Sequence, residues 1–319
     1  MLSMNETAGR WDSVRIMALR PPKNVVDPAR PYAFLVEPER TRDGTVEDVA
    51  VVFLTNRECP FRCLMCDLWK NTTDRRVSDG AIAEQIEYAL ARLPPARHVK
   101  LYNAGNFFDA QAIPPGDWVP VAKLLKPFQT VIVESHPRLI GRRCLDFRDM
   151  LRPQLQVAMG LETVHPDVLP RLNKQMSLAD FETAARFLTA RDIAVRAFIL
   201  LRPPFLDEVE GVFWAKESIR FAFDVAVECC VVIPTRAGNG AMDELQRQGQ
   251  FTPPRLESLE EVLEYGIGLQ RGRVFADLWD AERFYSCQYC GPARVKRMQM
   301  TNWTQQTAPR VFCSCGSGR

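Results

Sequence analysis

The sequence predicts a parallel α/β fold, and three observations carry the prediction. From Val49 onward, short runs of β type alternate about six times with segments of helical period. The runs are strongly apolar, as in Ala-Phe-Ile-Leu-Leu at 197–201 and Cys-Cys-Val-Val-Ile at 229–233, which suits strands covered on both faces. The helical segments between them are long enough to serve as crossovers between parallel strands. A barrel, complete or partial, or a doubly wound sheet would satisfy this alternation.

The elements follow in order. Residues 1–48 are rich in Pro, Arg and Asp, and Pro21-Pro22, Pro28 and Pro31 break any long element, so this region reads as an extended arm wrapping the domain. Strands are expected at 49–54, 98–102, 130–134, 154–161, 194–201 and 225–233. Helices are expected at 79–92, 118–126, 143–151, 178–191 and 207–223, with Ser78-Asp79 and Ser177 with Asp180 as starts. Pro253-Pro254 closes the repeating region, a last helix covers 256–269, and the core spans 49–270. The tail, 271–319, reads as loop from Tyr285 onward.

Composition narrows the class. With 46% hydrophobic and 25% charged residues, the 319-residue chain is ordinary globular protein with a substantial core. No run of 18 apolar residues suggests a membrane span, and Asn5, Glu6 and Asp12 do not fit a secretory signal, so the cytoplasm is expected. The net charge of +2 comes without a polybasic block, a weak footprint for a nucleic-acid partner. Ten cysteines in such a chain point to metal or redox chemistry rather than disulfides. Cys144, Cys229 and Cys230 lie in apolar surroundings and read as small core residues. The other seven form two groups.

The first group is Cys59-Pro-Phe-Arg-Cys63-Leu-Met-Cys66, directly after the first strand of the alternating region. Parallel α/β folds gather ligand sites at that end of their strands. The spacing Cys-x3-Cys-x2-Cys is not the paired Cys-x2-Cys of zinc sites. Three thiolates on a four-iron cluster leave one iron open to a substrate or cofactor.

This motif resembles the signature of the radical S-adenosylmethionine (SAM) superfamily, Cys-x3-Cys-x-Φ-Cys. The resemblance implies a partial (β/α)6 barrel and a [4Fe–4S] cluster on Cys59, Cys63 and Cys66 whose open iron chelates SAM. It further implies reductive cleavage of SAM to a 5′-deoxyadenosyl radical, fed by an external one-electron donor of flavodoxin or ferredoxin type. Met65 takes the place beside the adenine, and the turn Ala104-Gly105-Asn106 after the second strand takes that of the glycine-rich turn. Glu134 and Glu162 end strands where the superfamily places polar contacts to SAM. Within the superfamily, Gly160-Leu-Glu-Thr163, the run 200–206, Ile233-Pro-Thr235, Pro253-Pro254 and Met65 resemble the archaeosine-forming branch, related to the Elongator catalytic subunit. That branch implies a candidate substrate, a lysine-bearing deazaguanine base in tRNA whose side chain loses a carbon–nitrogen bond. A small metabolite is the alternative substrate, and a non-enzymatic metal-binding nucleic-acid module is the competing class.

The second group, Cys287-x2-Cys290 and Cys313-x-Cys315, is split by 22 residues. Two close pairs form a four-thiolate set, for zinc or for an auxiliary iron–sulfur cluster, with no coordination position left open. Between them, Arg294, Lys296, Arg297 and Trp303 read as a solvated face, with RNA contact as the other reading. His98, His136 and His165 lack the spacing of a zinc catalytic site. Arg236-Ala-Gly-Asn-Gly reads as a loop facing substrate, and Arg202 as a carboxylate holder or a structural ion pair.

Overall fold

The protein is seen in a computed structural model that describes residues 11–315; positions 1–10 of the expected arm, with Asn5 and Glu6, and positions 316–319 lie outside the described residues. Eight strands form one sheet in sequence order, curled into a half-barrel. They are β1 (Ala33–Arg40), β2 (Val46–Leu54), β3 (His98–Asn103), β4 (Thr130–Glu134), β5 (Gln154–Glu162), β6 (Ala194–Leu201), β7 (Cys229–Pro234) and β8 (Arg273–Ala276). β1 pairs antiparallel with β2, and every later pair is parallel. The helices are α1 (Ser13–Ala18), α2 (Ala81–Leu90), α3 (Trp118–Leu124), α4 (Arg142–Met150), α5 (Val168–Arg171), α6 (Leu178–Thr189), α7 (Glu208–Asp224), α8 (Ala241–Arg247), α9 (Leu256–Gly268) and α10 (Gly291–Thr304).

The strands divide into two faces. Val99, Leu101, Val131, Val157, Met159, Val195 and Ile199 share one core with Ile82, Ile86, Phe147, Phe181, Ile219 and Leu263 of the covering helices. The alternate positions turn inward and are not apolar throughout, contrary to the expectation of strands greasy on both faces. Lys100 and Arg196 are buried there, donating to Glu39 at 2.6 and 3.0 Å, and Lys100 also to Glu37 at 2.5 Å. Neutralised charge replaces hydrocarbon on that face.

All six expected strands are present, with one shifted: β7 starts at Cys229 because 225–228 complete the turn after α7, where Ala226 has φ 65°. Two strands went unread. β1 carries Pro38 and alternating charges, which a strand tolerates only at a sheet edge. β8 is four residues long, too short to show a period. α6 has the expected start, a capping box between Ser177 and Asp180. α2 does not use Ser78 or Asp79; the carboxylate of Asp117 caps it from a distance, accepting the N–H groups of Gly80 and Ile82 at 2.7 and 2.9 Å.

The tail is the largest correction, because α10 runs between the two cysteine pairs where loop was expected. Its buried stripe is Gly291, Arg294, Arg297, Met298, Thr301 and Asn302, helical in period but polar in content. Arg294 and Arg297, 4% and 7% exposed, belong to neither a solvated face nor an RNA surface. They pair with Glu260 and Glu264 of α9. At its other end, α10 covers the free edge of β8. Gln305 exchanges two hydrogen bonds with the backbone of Val274, both 2.8 Å, and Asn302 two with that of Ala276, both 2.9 Å. The Trp303 indole donates to the Pro38 carbonyl at 3.2 Å, and Arg40 to the Trp303 carbonyl at 3.0 Å. One helix therefore joins both edges of the sheet.

Candidate metal and cofactor site

The first cysteine loop leaves β2 at the C-terminal end of the sheet and is fixed on several sides. Leu64 is fully buried, and its N–H donates to the Leu172 carbonyl at 2.9 Å. Asn173 donates to the Arg62 carbonyl at 2.7 Å, and Trp69 to that of Cys66 at 3.1 Å. The 236–240 loop, expected to face substrate, instead clamps this one: Asn239 donates to the carbonyls of Leu64 and Cys66 at 2.8 and 3.1 Å. From the N-terminal side, Trp11 and Ile16 pack with Leu64, Met242 and Phe251. Arg20 meets Glu58, the residue before Cys59, at 2.6 Å.

One cavity opens beneath this loop, and all nine residues expected at the site line it: Cys59, Cys63, Cys66, Met65, Ala104, Gly105, Asn106, Glu134 and Glu162. Gly105 lies so close to the loop that a Cβ there would stand 3.0 Å from the Cβ of Cys59. That approach brings the Asn106 amide to 3.2 Å from the Cys59 sulfur, while its oxygen accepts the His136 N–H. Glu134 accepts the Asn103 N–H at 3.3 Å. Burial pushes its carboxyl up to about 8, against the opposing pull of that bond.

Glu162 sits at a register shift in β5 with φ 66°, which swings its carboxylate onto the Lys174 ammonium at 2.5 Å. A Cβ on Gly160 would fall 2.0 Å from that carboxylate and 2.4 Å from Lys174 Nζ, so the glycine makes room for the pair. Burial opposes charge on Lys174, yet Glu162 and the nearby Cys63 hold its pKa above the usual lysine range.

Sequence reasoning missed Lys174, His136, Phe61 and Arg20 in the cavity wall. Phe61, inside the cysteine motif, stacks on His136 with centroids 3.8 Å apart and planes 14° off parallel. His136 Nε2 donates to the Lys174 carbonyl at 3.0 Å and Nδ1 accepts the Arg138 N–H at 3.2 Å, which fixes the tautomer. Burial and then Lys174 push its pKa down to about 3, so the ring is neutral. The aromatic in the motif and the glycine two residues before Glu162 were the available signals. Arg202 lies elsewhere, paired with Glu208 at 2.6 Å. Cys144, Cys229 and Cys230 are buried in the core as expected.

The three thiols of the loop suit a metal cluster by their chemistry. Burial raises all three pKa values, that of Cys63 to about 12, a cost that a bound cation would offset. Lys174 and the Asn106 donor face the negative charge such a set would carry. The four tail cysteines form a separate group, their sulfurs all within 4.8 Å of one another. No helix among the described residues is long and apolar enough to cross a membrane.

No family model matches the chain. Archaeosine synthase subunit beta of Methanosarcina acetivorans is 27% identical over 79% of this chain and 77% of its own length. The subunit of the same name from Thermococcus kodakarensis is also 27% identical, over 63% of this chain and 65% of its own, under two thirds of that relative. Among solved structures, Streptococcus suis SuiB bound to S-adenosylmethionine superposes with a TM-score of 0.51 at 13% identity, covering 72% of this chain and 49% of SuiB, a likeness of fold. In its half-barrel fold and in its sequence relatives, the chain resembles the radical SAM superfamily, and within it the archaeosine-forming branch.

Proposed function

We propose that Cys59, Cys63 and Cys66 hold a [4Fe–4S] cluster and that the cavity beneath them binds SAM, making the chain a radical SAM enzyme. The observation that carries this reading is the convergence of nine residues from four separate strand ends on one cavity. When bound, the cluster supplies an open iron for the amino and carboxylate groups of SAM and the electron that starts its cleavage. The chain's own residues do the rest. The Ala104–Asn106 turn brings backbone against the loop and an amide onto one sulfur. The Glu162–Lys174 pair presents a fixed carboxylate and ammonium, and Glu134 a carboxyl able to keep its proton near neutrality. Met65 and the Phe61–His136 stack offer polarizable and aromatic surface for an adenine.

The candidate substrate is the modified deazaguanine base in tRNA, on the strength of two relatives named archaeosine synthase subunit beta. The word subunit in those names supports a partner chain; an external one-electron donor and the cytoplasm complete the proposal. A small metabolite is the second reading, favoured by the near-neutral charge.

Anaerobic reconstitution with iron and sulfide, followed by SAM and reductant, tests the chemistry. Wild type should yield 5′-deoxyadenosine, and Cys63→Ala should yield none while staying folded. Undiminished SAM cleavage by Cys63→Ala would sink the proposal. Parallel incubations with bulk tRNA and with a metabolite extract distinguish the two substrates, by which one raises 5′-deoxyadenosine output.

A further inference from the structure

The tail cysteines left two alternatives, a single zinc ion or an auxiliary iron–sulfur cluster, and their geometry separates the two. All four sulfurs lie within 4.8 Å of one another. Cys290 Sγ and Cys315 Sγ, from different pairs, stand 3.9 Å apart. Four thiolates around one tetrahedral ion, with metal–sulfur bonds near 2.3 Å, sit about 3.8 Å from each other. In a four-iron cluster each thiolate binds its own iron, and the whole inorganic core keeps the four sulfurs apart. The arrangement has room for one ion.

Its surroundings suit a closed, anionic site. Cys290 directly precedes α10, so its sulfur lies at the positive end of a 14-residue helix. The Arg294 guanidinium hydrogen-bonds Cys290 and is held in turn by Glu260. Gly291 donates to the Cys287 carbonyl at 2.9 Å, which fixes the first pair across the start of the helix. After α10 the chain doubles back: Arg297 Nε donates to the carbonyls of Ala308 and Pro309, at 3.0 and 2.8 Å. That return brings Cys313 and Cys315 to Cys287 and Cys290. The same helix caps β8 through Asn302 and Gln305 and reaches β1 through Trp303.

We propose that Cys287, Cys290, Cys313 and Cys315 hold one tetrahedral divalent ion of the zinc class, and that this ion latches the helix sealing the open side of the sheet. The site has no open position and takes no part in SAM chemistry. Binding energy at such a site is folding energy for the segment it closes. That segment has few hydrophobes of its own to pack with.

Elemental analysis and amide hydrogen exchange on the full chain test both halves. Wild type should carry one zinc per chain in addition to the iron of the first loop, and Cys63→Ala should lose iron and keep zinc. Cys315→Ser should lose zinc, keep iron, and exchange the Val274 and Ala276 amides at least tenfold faster. If Cys315→Ser does not fold, zinc removal from folded wild type by a chelator gives the same readout. Asn302→Ala should free the Ala276 amide with zinc still in place. Loss of iron and acid-labile sulfide from Cys315→Ser would overturn the single-ion assignment. Unchanged exchange at Val274 and Ala276 in the zinc-free chain would overturn the latch. Zinc and iron are counted separately, so failure of the SAM reading leaves this result standing.

Discussion

Asn106 donates its side-chain amide to the sulfur of Cys59 at 3.2 Å while its oxygen takes the backbone N–H of His136. One side chain thus connects the first cysteine loop to the end of β4. A hydrogen bond to a cluster thiolate stabilises the more negative, reduced form. Asn106→Leu should therefore lower the midpoint potential of the cluster proposed for this loop by on the order of 50 mV, following from about 1.5 kcal/mol for a bond to a charged group. Asn106→Asp, with a like charge against sulfur, should lower it further. A redox titration followed by electron paramagnetic resonance reads both; equal midpoints in all three proteins would contradict the role.

Gly160 is the position where a single methyl should separate binding from folding. The Cβ of Gly160→Ala enters the space of the Glu162 carboxylate and the Lys174 ammonium, both ends of flexible side chains. The pair shifts while the strand stays, so the loss of stability should be about 1–2 kcal/mol. SAM affinity should fall at least tenfold, measured by equilibrium dialysis on the iron-loaded chain beside a thermal melt. Wild-type affinity in this variant would show that the placement of the pair is immaterial.

Lys174→Met should behave differently, because it leaves the Glu162 carboxylate buried without its cation. Such a loss costs about 3–5 kcal/mol. Lys174→Met combined with Glu162→Gln should regain most of it, since neither buried charge then remains. Urea unfolding of the two single variants and the double variant closes the cycle.

Glu134 gives a pH dependence with a definite sign. Its carboxyl is raised from the ordinary range near 4.5 to about 8 by burial, so folding takes up a proton between those values. Its contribution to stability is fully present in acid below that ordinary range and is lost as pH rises toward 8, at up to about 1.4 kcal/mol per pH unit. Glu134→Gln keeps the amide neutral throughout. Without cofactors, it should match wild type more closely at pH 5 than at pH 8, where it should be the more stable. Parallel denaturation curves at the two pH values would refute this.

Much of the fold was legible because the half-barrel's outer face is apolar: Val99, Leu101, Val157 and Met159 stand in short runs of β type that alternate with helical segments. What was not legible is built from charge. β1 holds Glu39 against Lys100 and Arg196, and α10 buries Arg294 and Arg297, so both present polar residues where a hydrophobic period is sought. The site divides along another line. Cys59, Cys63 and Cys66 follow from local spacing, whereas Gly105 and the two strand-end glutamates follow from the resemblance that spacing carries. Lys174 and His136 enter the cavity only because β4 and the segment after α5 converge there, and a local pattern carries no record of that meeting.

The Arg40–Trp303 link has a consequence for synthesis on the ribosome. Its partners lie 263 residues apart, so the seam between β1 and α10 closes only after all the residues between them have been made. The strands that carry the first cysteine loop, with Glu134, Glu162 and Lys174, are translated well before that. At roughly 5–20 residues per second, synthesis leaves an interval of several seconds or more between Lys174 and α10. Delivery of the iron proposed for this loop thus has a window before the seam is joined, and the order of translation becomes an order of assembly.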